Sequence, residues 1–497
     1  MEYKSTRNSA IRVSAAQAIT QGLSKEGGLF VPDSFPELEM ADIEVLAEKP
    51  YTERAIEILS LFLTDFSDEQ LVHCVESAYT AEKFGSDSII RIEELNENTD
   101  MLELWHGPTC AFKDMALQLL PYLLTTSAKI VGNEKEIVIL VATSGDTGKA
   151  ALAGFQDVPG TGIVVFYPED GVSPMQKRQM TTQEGKNVAV CAIKGNFDDA
   201  QTAVKQIFTD KELAERMEKN NKMFSSANSI NWGRLVPQVV YYIAAYAQLI
   251  ADKTIKAGDP INICVPTGNF GNILAAYYAK KMGLPFNKLI CASNSNKVLT
   301  DFIRTGTYDK NREFHTTISP SMDILISSNL ERLLYDLYDQ DDAAIRALYK
   351  DLAETGSFTV SDEVKAKLQE HFHGAWCDDE QTQGIIRDCF EEETYLCDTH
   401  TAVAVHAALE YRHGSGDETR TLIASTADPY KFTASVLGAV YDEMPEDEYE
   451  QIDTLNRLSG LAVPASLAEL RDKEIRFTRS IEKNVIADEV VAMLGLN

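Results

Sequence analysis

The sequence is poor in the features that mark membrane, secreted and nucleic-acid-binding chains. No uncharged apolar run reaches the ~20 residues that cross a bilayer; the longest, over 235–250, contains Pro237 and Gln238 and reads as a buried helix. Cysteine is sparse, and Cys74, Cys110, Cys191, Cys264, Cys291, Cys377, Cys389 and Cys397 form no CxxC pair. That usage argues against a disulfide framework and for a reducing compartment. Basic residues are few: 46 Lys+Arg against 76 Asp+Glu give a net charge of -30 and a sequence pI near 4.7. Such a balance repels phosphodiester backbones and anionic lipid, so neither nucleic acid nor a membrane is expected as a partner. Residues 1–12 carry neither an apolar signal core nor an acid-poor, Arg-rich import pattern, and a cytoplasmic location is the expectation. With 28 Gly and 16 Pro in 497 residues, 44% hydrophobic and 25% charged, disorder and collagen-like repetition are both excluded. A folded, soluble chain remains, in which any anionic substrate must be met by a local cluster of cations.

What the sequence does have is a series of β-branched runs, each leading through a small-residue loop into an Ala/Leu-rich helical pattern, the alternation of parallel βα units. Ile137 through Ala142 runs into Thr143-Ser144-Gly145-Asp146-Thr147-Gly148 and then a helix from Lys149. Ile261 through Val265 runs into Pro266-Thr267-Gly268-Asn269-Phe270-Gly271-Asn272 and a helix over 273–281. Further strands are expected over 162–167, 188–193, 289–293 and 422–425, with helices over 200–219 and 235–251 between them. Helices are expected on both faces of sheets whose strands are this apolar. Before about residue 100 the pattern is helical, over 14–23, 42–48, 52–62 and 67–79, which predicts a separate N-terminal unit. From 327 to 393 it is helical and acidic, which predicts an inserted segment.

Ligands of open parallel sheets bind beyond the carboxyl ends of the strands, so the two strand-to-loop junctions are the first candidates. Glycines let backbone N–H groups converge there, at a helix N-terminus, with hydroxyls adding donors. A tight βα turn would use the same residues. A nucleoside-triphosphate loop is excluded, because two residues rather than four separate Gly145 from Gly148 and Ala150 follows Lys149. Gly268-x-x-Gly271 likewise lacks the G-x-G-x-x-G order of dinucleotide sites. His371, His373 and Cys377, or Cys397 and His400, have no matching second pair, so no metal is expected. Lys113 falls in the first turn of a helical pattern that Pro121 kinks. The helix dipole and apolar neighbours there disfavour an ammonium, and a depressed lysine suits Schiff-base chemistry. A solvated surface lysine is the alternative.

Trp105-His106-Gly107-Pro108-Thr109-x-Ala111-Phe112-Lys113-Asp114 resembles the lysine motif of the threonine synthase family, pyridoxal 5'-phosphate (PLP) enzymes of the tryptophan-synthase-β fold type. The resemblance runs on through Ser5-Thr6-Arg7, Gly27-Gly28-Leu29-Phe30-Val31-Pro32, Ala142 to Gly148, Asn228-Ser229-Ile230-Asn231-Trp232-Gly233-Arg234, Pro266 to Asn272, Ser319-Pro320-Ser321-Met322-Asp323-Ile324 and Ser425-Thr426-Ala427. It implies an α/β, fold type II architecture of two parallel-sheet subdomains. The implied division is an N-terminal domain over 1–95, a large PLP-binding domain from 96–130, 252–326 and 394–497, a small α/β domain over 131–251 and a helical insertion over 327–393. It also implies that Lys113 bonds the cofactor and that Gly268, Asn269, Phe270, Gly271 and Asn272 cradle its phosphate. Thr426 would meet the pyridine nitrogen and Asp146 would lie near the phenolic oxygen. Thr143, Ser144, Thr147, Asn228 and Arg234 would hold the substrate's carboxylate and phosphate. One departure stands out: Asp428 occupies the place of the family's usual histidine in Ser425-Thr426-Ala427-Asp428-Pro429-Tyr430-Lys431-Phe432.

The implied reaction, carried out by a monomer or homodimer, is conversion of O-phospho-L-homoserine and water to L-threonine and phosphate. The same motifs fit a PLP-dependent phospho-lyase giving 2-oxobutyrate, and a binding protein for PLP or phosphate without turnover.

Overall fold

The apolar runs become the inner strands of two sheets in a computed structural model that describes residues 1–143, 145–170 and 172–496. The larger sheet has six strands in the order Phe372–Trp376, Phe286–Ser293, Ile261–Pro266, Thr421–Ser425, Thr99–Glu103 and Arg91–Asn96. All its pairings are parallel except the last, where Arg91–Asn96 closes the edge antiparallel to Thr99–Glu103. The smaller sheet has five parallel strands in the order Ser480–Glu482, Val188–Lys194, Thr161–Pro168, Glu136–Ala142 and Lys222–Ser225. Every residue of Thr161–Pro168 and of Ile261–Pro266 is buried, as strands covered by helices on both faces must be.

The expected buried helix is Trp232–Ala251, with Pro237 in its second turn. It packs against Tyr51–Phe62, Met40–Ala47 and Gly271–Lys281, so the N-terminal unit and the larger sheet share one core. Arg54 fastens that junction by donating from Nη1 to the carbonyl of Ala244 at 3.1 Å.

Several boundaries differ from the sequence expectation, each for a local reason. The helix expected over 200–219 is two, Phe197–Thr209 and Lys211–Lys219; Asp210 is extended and its carboxylate accepts from Leu213 N, restarting the helix. The N-terminal unit is not wholly helical, because Tyr3–Ser5 pairs antiparallel with both Asn8–Val13 and Phe30–Pro32. The inserted stretch 327–393 is not wholly helical: Phe372–Trp376 adds a parallel strand to the larger sheet beside Phe286–Ser293. Gly374 allows the close approach, since a Cβ there would lie 2.9 Å from the Cα of Thr300. Nor does 394–497 stay with the larger sheet, because Ser480–Glu482 crosses back to extend the smaller one. The boundary at 95 falls inside the edge strand Arg91–Asn96.

Candidate active site

Lys113 opens the short helix Lys113–Leu117, which stops before Leu119; the chain resumes as Leu120–Ile130 with Pro121 in the first turn, where its missing N–H costs nothing. The loop leading to Lys113 is folded by its neighbour Asp114, whose carboxylate accepts from Thr109 N at 2.8 Å and from Thr109 Oγ1 at 2.7 Å. Gly107 lies directly against that carboxylate, and a Cβ there would sit 2.5 Å from Asp114 Cβ. Phe112 N donates to Thr426 O at 2.8 Å and Asp428 N donates to Cys110 O at 3.1 Å, laying the lysine loop beside the segment that follows Thr421–Ser425.

The Lys113 side chain is 12% exposed, and its Nζ donates to Ser321 Oγ at 3.3 Å and lies 3.6 Å from Asp146 Oδ2. Burial lowers its pKa; Asp146 opposes this, while Lys431 and Arg234 add to it, so the net direction is down. Asp146 begins the helix Asp146–Phe155. Burial alone would raise its carboxyl, but Lys431 and Lys113, with hydrogen bonds from Lys431 and Gln176, hold it well below the usual carboxylate range. Lys431 Nζ is 2.9 Å from Asp146 Oδ1, and Gln176 Nε2 donates to the same oxygen at 3.1 Å.

Arg234 is a buried cation in the first turn of the helix Trp232–Ala251. It is 5% exposed, donates one bond from Nη1 to Ala227 O at 2.8 Å, and leaves a buried Nε with no partner. Among the described residues no carboxylate pairs with it, and burial pushes it down to about 10. A buried unpaired guanidinium is costly to keep and is built to receive an anion.

The second glycine loop has the matching chemistry. Phe270 takes a left-handed conformation, φ 66°, and turns the chain into the helix Gly271–Lys281. Ser327 Oγ donates to Gly268 O at 2.8 Å, and Asn329 holds Asn269 O through N and Nδ2 at 3.1 and 3.0 Å. The amides of Gly268, Asn269, Phe270, Gly271 and Asn272 have no acceptor among the described residues. Asn272 Oδ1 is taken by Tyr241 at 2.7 Å and by Tyr242, while its buried Nδ2 is unpartnered. Free amides at the positive end of a helix dipole, with an orphaned amide N–H beside them, fit a phosphate group.

The other expected site residues are dispersed. Thr426 is buried, and its hydroxyl is in no hydrogen bond among the described residues. Thr143 is turned inward: its Oγ1 accepts from Gly145 N at 3.0 Å and Gly148 N at 2.9 Å and donates to Gly145 O at 3.1 Å. That corrects its expected substrate role, because a hydroxyl so used shapes the loop and has no capacity left for a carboxylate. Thr147 is half-buried and Asn228 exposed; Ser144 lies outside the described residues.

Asp428, in the histidine's place, is buried and caps the turn Pro429–Phe432 by accepting from Tyr430 N at 2.8 Å. Burial, with Asp398 and Glu103 nearby, pushes its carboxyl up to about 7 against that hydrogen bond and Lys431. Lys431, Gln176 and Ser321 complete the cluster around Asp146 and Lys113; Lys431 and Ser321 stand in the quoted motifs without an assigned role, and Gln176 stands in none. His400, weighed in the sequence only as a metal ligand, bonds Asp398 through Nδ1 at 2.8 Å while its Nε2 accepts from Ser321 N at 3.1 Å. A cavity of about 990 Å3 has His106, Cys110, Lys149 and Asp428 in its wall. Lys113, Asp146 and Arg234 do not line it. Among the described residues no group of three or more His, Cys, Asp or Glu is placed to hold a metal ion, and no helix is long and apolar enough to cross a membrane.

Three family descriptions match the chain in order: threonine synthase N terminus over residues 2–79, pyridoxal-phosphate dependent enzyme over 101–361, and threonine synthase, C-terminal, over 401–490. Threonine synthase-like 1 of Pongo abelii is 40% identical over 457 residues, covering 90% of this chain. The chain spans only 61% of that relative's length. Threonine synthase of Pseudomonas aeruginosa is 37% identical, with 96% of this chain and 95% of that one covered. The PLP-bound threonine synthase of Brucella melitensis superposes with a TM-score of 0.88 at 34% identity over 99% of both chains.

Proposed function

The chain belongs to the threonine synthase family and has the type II fold of PLP enzymes, and from that premise we propose that it converts O-phospho-L-homoserine and water to L-threonine and phosphate with PLP as cofactor. The observation that carries the proposal is the pairing of a depressed, buried Lys113 with an unpaired, buried Arg234. One supplies a reactive amine, the other an anion site that nothing in the protein fills.

In this reading Lys113 bonds the cofactor's aldehyde, and the free amides of Gly268 through Asn272 hold its phosphate. The Thr426 hydroxyl meets the pyridine nitrogen without requiring that nitrogen to be charged. When bound, PLP supplies the electron sink for a carbanion beside the substrate's amino group. Lys113 would take and return the substrate's α-proton at Nζ, for which its lowered pKa suits it. Asp146 stays ionised and orients Nζ. Arg234 binds the substrate phosphate, and after phosphate leaves from Cγ it retains the ion while water adds at Cβ. Thr147 and Asn228, with Ser144, bracket the substrate's other end, and Thr143 keeps that loop in shape. Closure of the two sheet units around the site excludes stray water that would divert the reaction to 2-oxobutyrate. Eight buried, unpaired cysteines favour a reducing, cytoplasmic setting, where the chain acts as monomer or homodimer.

Borohydride reduction of the PLP-loaded protein followed by peptide mapping tests the assignment. The pyridoxyl label is expected on Lys113 and to be absent from Lys113→Ala. A label on another lysine, or loss of none in the variant, overturns it.

A further inference from the structure

Lys431 has no part in the steps above, yet it is the most thoroughly buried cation of the cluster, with a side chain 1% exposed. We propose that Lys431 is a positioning residue that fixes Asp146 against Lys113 and thereby tunes the protonation of Lys113. The inference rests on the reading of Lys113 as the reactive amine.

An ammonium has three N–H donors, and those of Lys431 are committed to Asp146 Oδ1 at 2.9 Å, Thr109 O at 2.8 Å and Gln179 Oε1 at 3.5 Å. None is left for a substrate, which separates Lys431 from Arg234. The three acceptors belong to three segments that must keep their spacing: the lysine loop, the helix Asp146–Phe155 and the helix Pro174–Thr181. Thr109 itself is tied to Asp114, the neighbour of Lys113. Asp146 is thereby anchored through one oxygen, which also accepts from Gln176, while the other oxygen faces Lys113 Nζ at 3.6 Å and Ser321 Oγ at 3.5 Å. The turn that carries Lys431 is braced by Asp428, whose carbonyl accepts Lys431 N at 3.0 Å.

The charges make this arrangement consequential. Lys113 faces Asp146, Lys431 and Arg234; Lys431 is faced by Asp146, Asp114 and Cys110, and Asp428 and Lys149 also feel it. Asp146 is thus shared between two lysines. Removing the charge of Lys431 takes away a cation that repels the proton on Lys113 and leaves Asp146 to that lysine alone. Both effects hold the proton on Lys113 to higher pH.

The test titrates acetylation of Lys113 by acetic anhydride in the full-length, cofactor-free protein, read by peptide mass spectrometry, with exposed lysines as internal controls. In Lys431→Met the midpoint for Lys113 is expected to rise by about one pH unit or more, about a tenfold loss of labelling at neutral pH. Lys431→Arg is expected to restore the wild-type midpoint. Should Lys431→Met fail to fold, Lys431→Gln keeps a donor toward Asp146 without the charge and is expected to shift the same way. An unshifted Lys113 midpoint in the folded variant overturns the proposal. Because neither cofactor nor substrate is present, that result would leave the borohydride experiment to judge Lys113 separately.

Discussion

Arg234 carries a cost in the free protein that only a bound anion offsets. Replacing it with methionine removes a guanidinium that burial pushes down to about 10 and that no carboxylate neutralises among the described residues. Because an uncompensated buried ion is destabilising, Arg234→Met is expected to melt no lower than the wild type when cofactor and substrate are absent. Its KM for the phosphorylated substrate should rise at least about tenfold, since hydrogen bonds to charged groups contribute about 1.5–3 kcal/mol. A thermal scan beside steady-state kinetics checks both; a variant that melts lower with unchanged KM would assign Arg234 to structure. Thr143 is the opposite case, a residue whose place in a recognisable motif suggested ligand contact but whose hydroxyl is spent inside its own loop. Asp428, where the family pattern has histidine, caps the turn that carries Lys431.

Between elements, the site depends on how closely the helix of Asp146 lies against the helix of Lys113. Gly154 makes that approach possible, because an added Cβ would collide with the carbonyl oxygen of Leu117. Gly154→Ala is therefore expected to lower stability by about 1–3 kcal/mol, the usual cost of overpacking. Gly384, in the helix Asp379–Glu392, has open space where its Cβ would go, and Gly384→Ala should gain up to about 1 kcal/mol from helix propensity. Chemical denaturation of the two variants reads the difference; equal effects would mean that the packing at Gly154 is not tight. The strands around both glycine loops were legible because continuous β-branched runs bounded by Gly leave few alternatives. Phe372–Trp376 was not, since it follows the helix Asp362–His371 without a break and carries His373 and Gly374 in its middle. Ser480–Glu482 is too short to show a period, and its partner Val188–Lys194 is remote in sequence.

Across the whole molecule, segments that follow strands of both sheets meet in one charged cluster: Asp146 after Glu136–Ala142 of the smaller, Lys431 after Thr421–Ser425 of the larger, with Lys113 at the start of its own short helix. The motifs single out Lys113, Asp146 and Arg234, because each stands in a stretch of distinctive residues. The contacts that set their charge states were not legible, since neither Lys431 within its motif nor the isolated Gln176 shows its carboxylate partner until the fold brings it to Asp146. In an acidic chain the buried cations Lys113, Lys431 and Arg234 stand out against the mean field. The direct test is to supply PLP-loaded protein with O-phospho-L-homoserine and to quantify the organic product alongside released phosphate. Threonine and phosphate in equal amounts are expected; phosphate accompanied by 2-oxobutyrate, or no turnover at all, would contradict the assignment as a synthase.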